Sequence, residues 1–169
     1  MQISLEKKSK DSTVAKEIER KFLVDTSKLP TLPKGHIMKQ GYVPTQGITV
    51  RARITDDQAF LTLKGRATGL SRSEFEYPIP VEDAQQILNE LCAHPLIEKN
   101  RYLIPHGDHT WELDIFEGDN EGLVVAEIEL GSEDEEFELP IWTTEEVSYD
   151  TKYRNANLIE HPFCSWNKD

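Results

Sequence analysis

The stretch Glu-Ile-Glu-Arg-Lys at 17–21 puts carboxylates at Glu17 and Glu19 and an ammonium at Lys21, one at every second position. In an extended strand these three side chains share a face, while Ile18, Arg20 and Phe22 take the other. Two carboxylates about 7 Å apart repel unless positive charge sits between them. Like-signed pairs recur at the same spacing: Arg51 and Arg53, Glu74 and Glu76, Lys99 and Arg101, Glu112 and Asp114, Glu127 and Glu129. One such strand fits an ordinary wet sheet face. A whole series does not, because solvated faces usually mix signs along and across strands. The pairs make chemical sense if the acidic clusters hold hard divalent cations such as Mg²⁺ through oxygen ligands. The basic clusters would then hold a polyanion, with Arg forking onto phosphate oxygens and Lys supplying a compact charge.

Strands must present these residues. Besides the segment opening at Glu17, GITVRARI (47–54), QAFLTLKG (58–65), SRSEFEYPI (71–79), KNRYLI (99–104), TWELDIFEG (110–118) and LVVAEIEL (123–130) alternate with period two. TDD, GRATGL, PHGDH and GDNEG between them read as hairpin turns, implying antiparallel neighbours. PVEDAQQILNELC carries Val81, Ala84, Ile87, Leu88 and Leu91 at helical spacing. A second helix is expected from Thr144 through SYDTKYRN, with Glu145 and Glu146 in its first turn. SEDEEFELP reads as an acidic loop or strand start. The sum is a mainly β chain of about eight strands with helical additions, in a barrel or sandwich. Closed into a barrel with the charged faces inward, it would enclose a polar tunnel, and the helices would cover its apolar outside.

Composition narrows the partners. The 169 residues fit one domain. A net charge of −12 argues against nucleic-acid binding through a basic surface. Two cysteines form neither a zinc pattern nor a disulfide framework. No apolar run is long enough for a membrane and the first residues carry no secretory core, so a cytoplasmic location is expected. Residues 1–16 read as a flexible extension, with one domain over 17–169.

In its ordered series of motifs the chain resembles the CYTH domains, or triphosphate tunnel metalloenzymes. The series comprises Glu17, Glu19 and Lys21 as ExExK, then VRARI, LTLKG, RSEFEY, EKNRY, WELDIF and AEIEL. The resemblance implies a closed antiparallel eight-stranded β-barrel forming a polar tunnel, acting on triphosphates with Mg²⁺ or Mn²⁺. It implies metal-coordinating roles for Glu17, Glu19, Glu127 and Glu129, with Glu74, Glu76 and Asp114 contributing. It implies phosphate binding by Lys21, Arg51, Arg53, Lys64, Arg72 and Arg101, with Lys152 and Arg154 closing over one tunnel mouth. Lys99 is expected to assist the leaving group or position water, with Tyr42 orienting it and Glu129 joining them in catalysis. Tyr42 as a wall residue with a satisfied hydroxyl is an equal alternative.

Other signals carry less. GRATGLS lacks the Lys-Ser/Thr ending of a phosphate loop. The five histidines have no ligand spacing, and the three tryptophans are expected in the wall. Inorganic triphosphate is the expected substrate, because little sequence is left over to build a nucleoside pocket. Adenylate cyclase of the class IV type, thiamine triphosphatase and a non-catalytic polyphosphate sensor are the alternatives. The cyclases of the family carry His-Phe before the first glutamate, where this chain has Ala15-Lys16. A monomer or homodimer suffices, with no DNA or membrane partner.

Overall fold

The alternating segments become strands, and the strands close on themselves. The computed structural model describes residues 16–166. The extension expected over 1–16 therefore lies outside the described residues except for Lys16, which opens the first strand. In chain order the elements are β1 (Lys16–Val24), β2 (His36–Val43), β3 (Thr49–Thr55), β4 (Gln58–Lys64), β5 (Ser71–Ile79), α1 (Val81–Glu90), β6 (Ile97–His106), β7 (His109–Phe116), β8 (Val124–Glu129), β9 (Thr143–Glu146) and α2 (Asn157–Glu160). The strands follow each other round as β5-β4-β3-β2-β6-β7-β8-β1, and a β5–β1 pairing shuts the ring of eight.

β1 does the closing. Lys16 to Ile18 pair with β5, Glu19 to Leu23 pair with β8, and β9 takes up the edge that β5 leaves, opposite Phe22 and Val24. Arg20 faces outward and donates two hydrogen bonds to the Glu146 carboxylate, at 2.7 and 2.6 Å. That fork holds 143–146 as a strand, so the helix expected from Thr144 does not form. The chain instead makes a short 3₁₀ turn at Thr151–Tyr153, capped by Asp150 accepting from the Lys152 amide, before the four-residue α2.

Strand β2 was not among the expected segments, because HIMKQGYV carries polar residues on both faces. Met38, Gln40 and Tyr42 share the inward parity. Gly41 faces out, where a Cβ would stand 2.7 Å from Leu96 and 2.9 Å from Cys92, so only glycine lets this strand pass under the end of α1.

The outer apolar face is covered by two different devices, not by helices alone. α1 packs Leu88, and the segment just after it Cys92, on Ala52 of β3. Over β1, β7 and β8 the cover is irregular chain: Leu29, Leu32, Phe137 and Trp142 lie on Ile18, Phe22, Trp111, Leu113 and Ile128. Trp111 meets Phe22 and Trp142 edge-on, with centroids 5.5 and 5.7 Å away. A third cluster seals one end of the barrel. Ile97, Phe116 and Val125, on the inward parity, pack against Tyr153, Leu158 and Ile159 of the C-terminal segment.

Leu88 is buried and Leu91, one turn on, is exposed. Leu88→Ala is expected to cost about 2–5 kcal/mol in denaturant unfolding, and Leu91→Ala under about 0.5 kcal/mol. Equal effects would contradict the helix placement.

Candidate functional site

Strand register turns the sequence pairs into a ring. Around the barrel interior, Glu19 stands opposite Glu129, and Lys21 opposite Glu127. Glu127 stands opposite Glu112, and Arg101 opposite Asp114. Gln40 faces Arg53 and Tyr42 faces Arg51. Lys64 faces Glu74, Thr62 faces Glu76, and Arg72 meets Glu17 to complete the circle. The ring encloses a cavity of about 440 Å³ lined by seven cationic side chains, Lys21, Arg51, Arg53, Lys64, Arg72, Arg101 and Arg154. Eight acids line it too: Glu17, Glu19, Glu74, Glu76, Glu112, Glu127, Glu129 and Asp150.

Most of these charges are partnered across strands. Both Glu17 oxygens accept from Lys64 Nζ, at 2.8 and 2.7 Å, and Arg72 adds a bond of 3.3 Å. Burial pushes the Glu17 carboxyl up, but Lys64 and Arg72 outweigh it and hold the group below its ordinary range. Glu127 Oε1 stands 3.0 Å from Lys21 Nζ without hydrogen-bond geometry, and Arg101 lies 3.6 Å from Oε2. Here too burial is outweighed, by Lys21 and Arg101, and the carboxyl is held low. Arg101 also reaches Glu112 at 2.6 Å. Arg51 bonds Thr62 at 3.2 Å and Glu76 at 3.4 Å, while its buried Nε has no partner among the described residues.

Glu19, Glu74 and Glu129 are the exceptions among the described residues, and Glu19 is the most perturbed of them. Among the described residues it makes no hydrogen bond and no ion pair, and burial, then Glu127 and Glu17, push its carboxyl up to about 8. Arg53 is its cationic counterpart: burial, then Arg51 and Arg101, bring its guanidinium down to about 10. Arg53 Nε donates to Gln40 Oε1 at 2.8 Å, and Gln40 Nε2 donates to the Tyr42 hydroxyl at 2.8 Å. Tyr42 Oη therefore acts as an acceptor in the wall, which leaves its own O–H to donate elsewhere.

Three expected residues lie elsewhere. Asp114 is fully buried and does not line the cavity; its oxygens take Arg101 at 2.7 and 2.8 Å and Lys99 at 2.7 Å. Lys99 is buried beneath the cavity between Asp114 and Phe116 and does not meet Tyr42, so it has no direct approach to a leaving group. Burial, aided by Arg101 and Arg53 against the pull of Asp114, takes the Lys99 ammonium down to about 7. Lys152 is exposed, its ammonium over the rings of Tyr153 and Trp166, and does not close the mouth; Arg154 does line the cavity. Conversely, Gln40, Thr62 and Asn155 belong to the site's lining or wiring without having been singled out, and Glu112, noted as one of an acidic pair, lines the cavity without having been given a role. Glu112, Gln40 and Thr62 share the inward parity of their strands, the signal that would have found them.

Among the described residues no three acidic, imidazole or thiol groups converge closely enough to hold a metal as they stand, because Lys64 and Lys21 draw Glu17 and Glu127 into ion pairs. The donor chemistry nevertheless suits a hard cation: an unpaired carboxylate resisting ionisation at Glu19, with Glu129 opposite and Glu17 and Glu127 beside it.

Known proteins carry the same arrangement of chain. The CYTH domain model matches residues 15–162. The inorganic triphosphatase of Acetivibrio thermocellus is 46% identical over 156 residues, covering 92% of this chain and 100% of that protein. That of Nitrosomonas europaea is 39% identical over 152 residues, covering 84% of this chain and 95% of that one. A solved structure of an inorganic triphosphatase superposes with a TM-score of 0.61 at 34% identity, over 85% of this chain and 93% of that one.

The raised Glu19 carboxyl has a signed consequence. A folded-state value above the ordinary one stabilises the fold at low pH, and that stability is lost as pH rises from about 4.5 through about 8. Melting temperatures of the metal-free protein and of Glu19→Gln, measured across that window, should diverge in favour of the variant as pH rises. Parallel curves would mean Glu19 ionises freely.

Proposed function

The chain belongs to the CYTH domain family, and we propose that it hydrolyses inorganic triphosphate to diphosphate and phosphate inside the barrel. The observation that carries this reading is the charge balance of the cavity, seven cations against eight acids in about 440 Å³. A pocket built to bind a polyanion by basic residues alone would have an excess of cations. This one is balanced, so a triphosphate enters with compensating metal charge. Membership of the family carries dependence on a divalent metal, and the all-oxygen donor set points to Mg²⁺ or Mn²⁺.

Glu17, Glu19, Glu127 and Glu129 would hold the metal, with Glu74 and Glu76 on the β5 wall as further oxygen donors. Bound there, divalent cations neutralise phosphate oxygens and lower the pKa of a water near the terminal phosphorus. The chain's own residues do the rest. Arg51, whose buried Nε lacks a partner, and Arg53 donate to phosphate oxygens from the β3 wall; Lys64, Arg72, Lys21 and Arg101 surround the chain of phosphates and offset charge growing on the leaving oxygen. As triphosphate takes these cations, the carboxylates they now hold are freed for the metal. Tyr42, fixed by Gln40, turns its hydroxyl proton toward the cavity to orient water or a phosphate oxygen.

Two features favour a substrate without a base. Ile97, Phe116 and Val125 with the C-terminal segment fill one end of the barrel. No tryptophan offers a stacking platform: Trp111 and Trp142 lie in the outer core, and Trp166 packs on Tyr153 and Phe163. Among the described residues no helix is long and apolar enough to cross a membrane. A cytoplasmic enzyme acting as a monomer or homodimer completes the reading.

Phosphate release from inorganic triphosphate, thiamine triphosphate and ATP, with Mg²⁺, Mn²⁺ or chelator, tests it. Metal-dependent release strongly favouring inorganic triphosphate is expected, falling roughly a hundredfold in Glu19→Gln. Tight binding without turnover would make the protein a sensor, and cyclic AMP from ATP would make it a cyclase.

A further inference from the structure

The residues next to Arg154 are held from below. Lys21 Nζ donates to the Tyr153 carbonyl at 3.1 Å, and Lys99 Nζ lies 3.4 Å from Asn155 Oδ1. The second contact is long, but it settles which way the amide points. Held against the Asp114 carboxylate, Lys99 turns its N–H groups toward oxygen acceptors, and the atom it meets on Asn155 is the carbonyl oxygen. Lys99 is itself fixed, fully buried and 2.7 Å from Asp114. Asn155 Nδ2 is thereby turned away from the floor, and among the described residues it has no hydrogen-bond partner. It is not buried either: Asn155 lines the cavity beside Arg154. The result is a two-donor amide group aimed where Lys99 cannot reach.

We propose that Asn155 contacts the phosphate chain through Nδ2, and that Lys99 is a positioning residue acting through it. The proposal rests on the triphosphate reading of the cavity. It explains why a lysine placed in a strand of phosphate-binding type, one position pair from Arg101, sits below the cavity: its charge is spent on Asp114 and on orienting one neutral donor. A neutral donor also adds hydrogen bonding without shifting the charge balance that admits metal.

Calorimetric binding of inorganic triphosphate to the full chain, with Ca²⁺ supplying the compensating divalent charge and turnover in Mg²⁺ measured separately, tests this. Asn155→Ala should weaken binding about tenfold to a hundredfold, the scale of a hydrogen bond to a charged group. Asn155→Asp keeps the acceptor for Lys99 but turns an oxygen toward phosphate, and should bind more weakly than the alanine variant. Lys99→Met should lose affinity in the wild-type background and lose little more once Asn155 is alanine. If Lys99→Met does not fold, Lys99→Arg replaces it in the same cycle. Binding by both Asn155 variants within twofold of wild type would overturn the proposal, as would full additivity of the two substitutions. Wild-type protein that binds triphosphate without hydrolysing it would sink the hydrolase reading while leaving the Asn155 comparison standing.

Discussion

Charge turned inward on a closed sheet is the constraint on which the rest depends. Side chains on one parity of eight antiparallel strands have nowhere to go but the barrel interior, and there a lone charge is expensive. The interior meets that cost by cross-strand pairing: Glu17 with Lys64 and Arg72, Glu127 with Lys21 and Arg101, Asp114 with Lys99 and Arg101. The apolar parity, excluded from the interior by the same alternation, must then be covered from outside. α1, the 131–142 segment and the chain after β1 supply that cover.

Pairing is also what makes the site exchangeable. Ion pairs between flexible lysines and glutamates hold the fold while each partner retains affinity for something else, phosphate for the bases and metal for the acids. Glu19, left out of the pairing as Glu74 and Glu129 are among the described residues, marks where compensation is least complete. Asp114 marks the opposite extreme, fully satisfied and buried. Identical residue types at identical spacing thus divide into cavity lining and buried pairs according to depth in the barrel, which the strand's own sequence does not encode.

That division explains what was legible in advance. The parity of Glu17, Glu19, Arg51, Arg53, Lys64, Arg72, Glu127 and Glu129 placed them in the cavity, because period-two alternation fixes a face. The fold followed from the same signal, together with hairpin turns such as the one at Gly107, whose φ of 57° suits glycine. Depth was not legible: Lys99 and Asp114 share the inward parity yet fall below the cavity, since the C-terminal segment closes that end. The helix expected from Thr144 failed because a residue far away in sequence, Arg20, claims Glu146. β2 escaped notice because HIMKQGYV carries polar residues on both faces, and its outward glycine answers to Cys92 and Leu96, not to its own strand.

The central claim, that the acidic arc is waiting for a divalent cation, is tested most directly by the protons it gives up. At neutral pH Glu19 carries a proton that a bound cation must displace. Titrating Mg²⁺ or Mn²⁺ into the protein with the product diphosphate present in place of triphosphate, so that no turnover contributes protons, in buffers of different ionisation enthalpy, counts those protons. The account predicts release of about one proton per chain in the wild type and markedly less in Glu19→Gln. Cation binding with equal proton release in both proteins, or no cation binding at all, would contradict it.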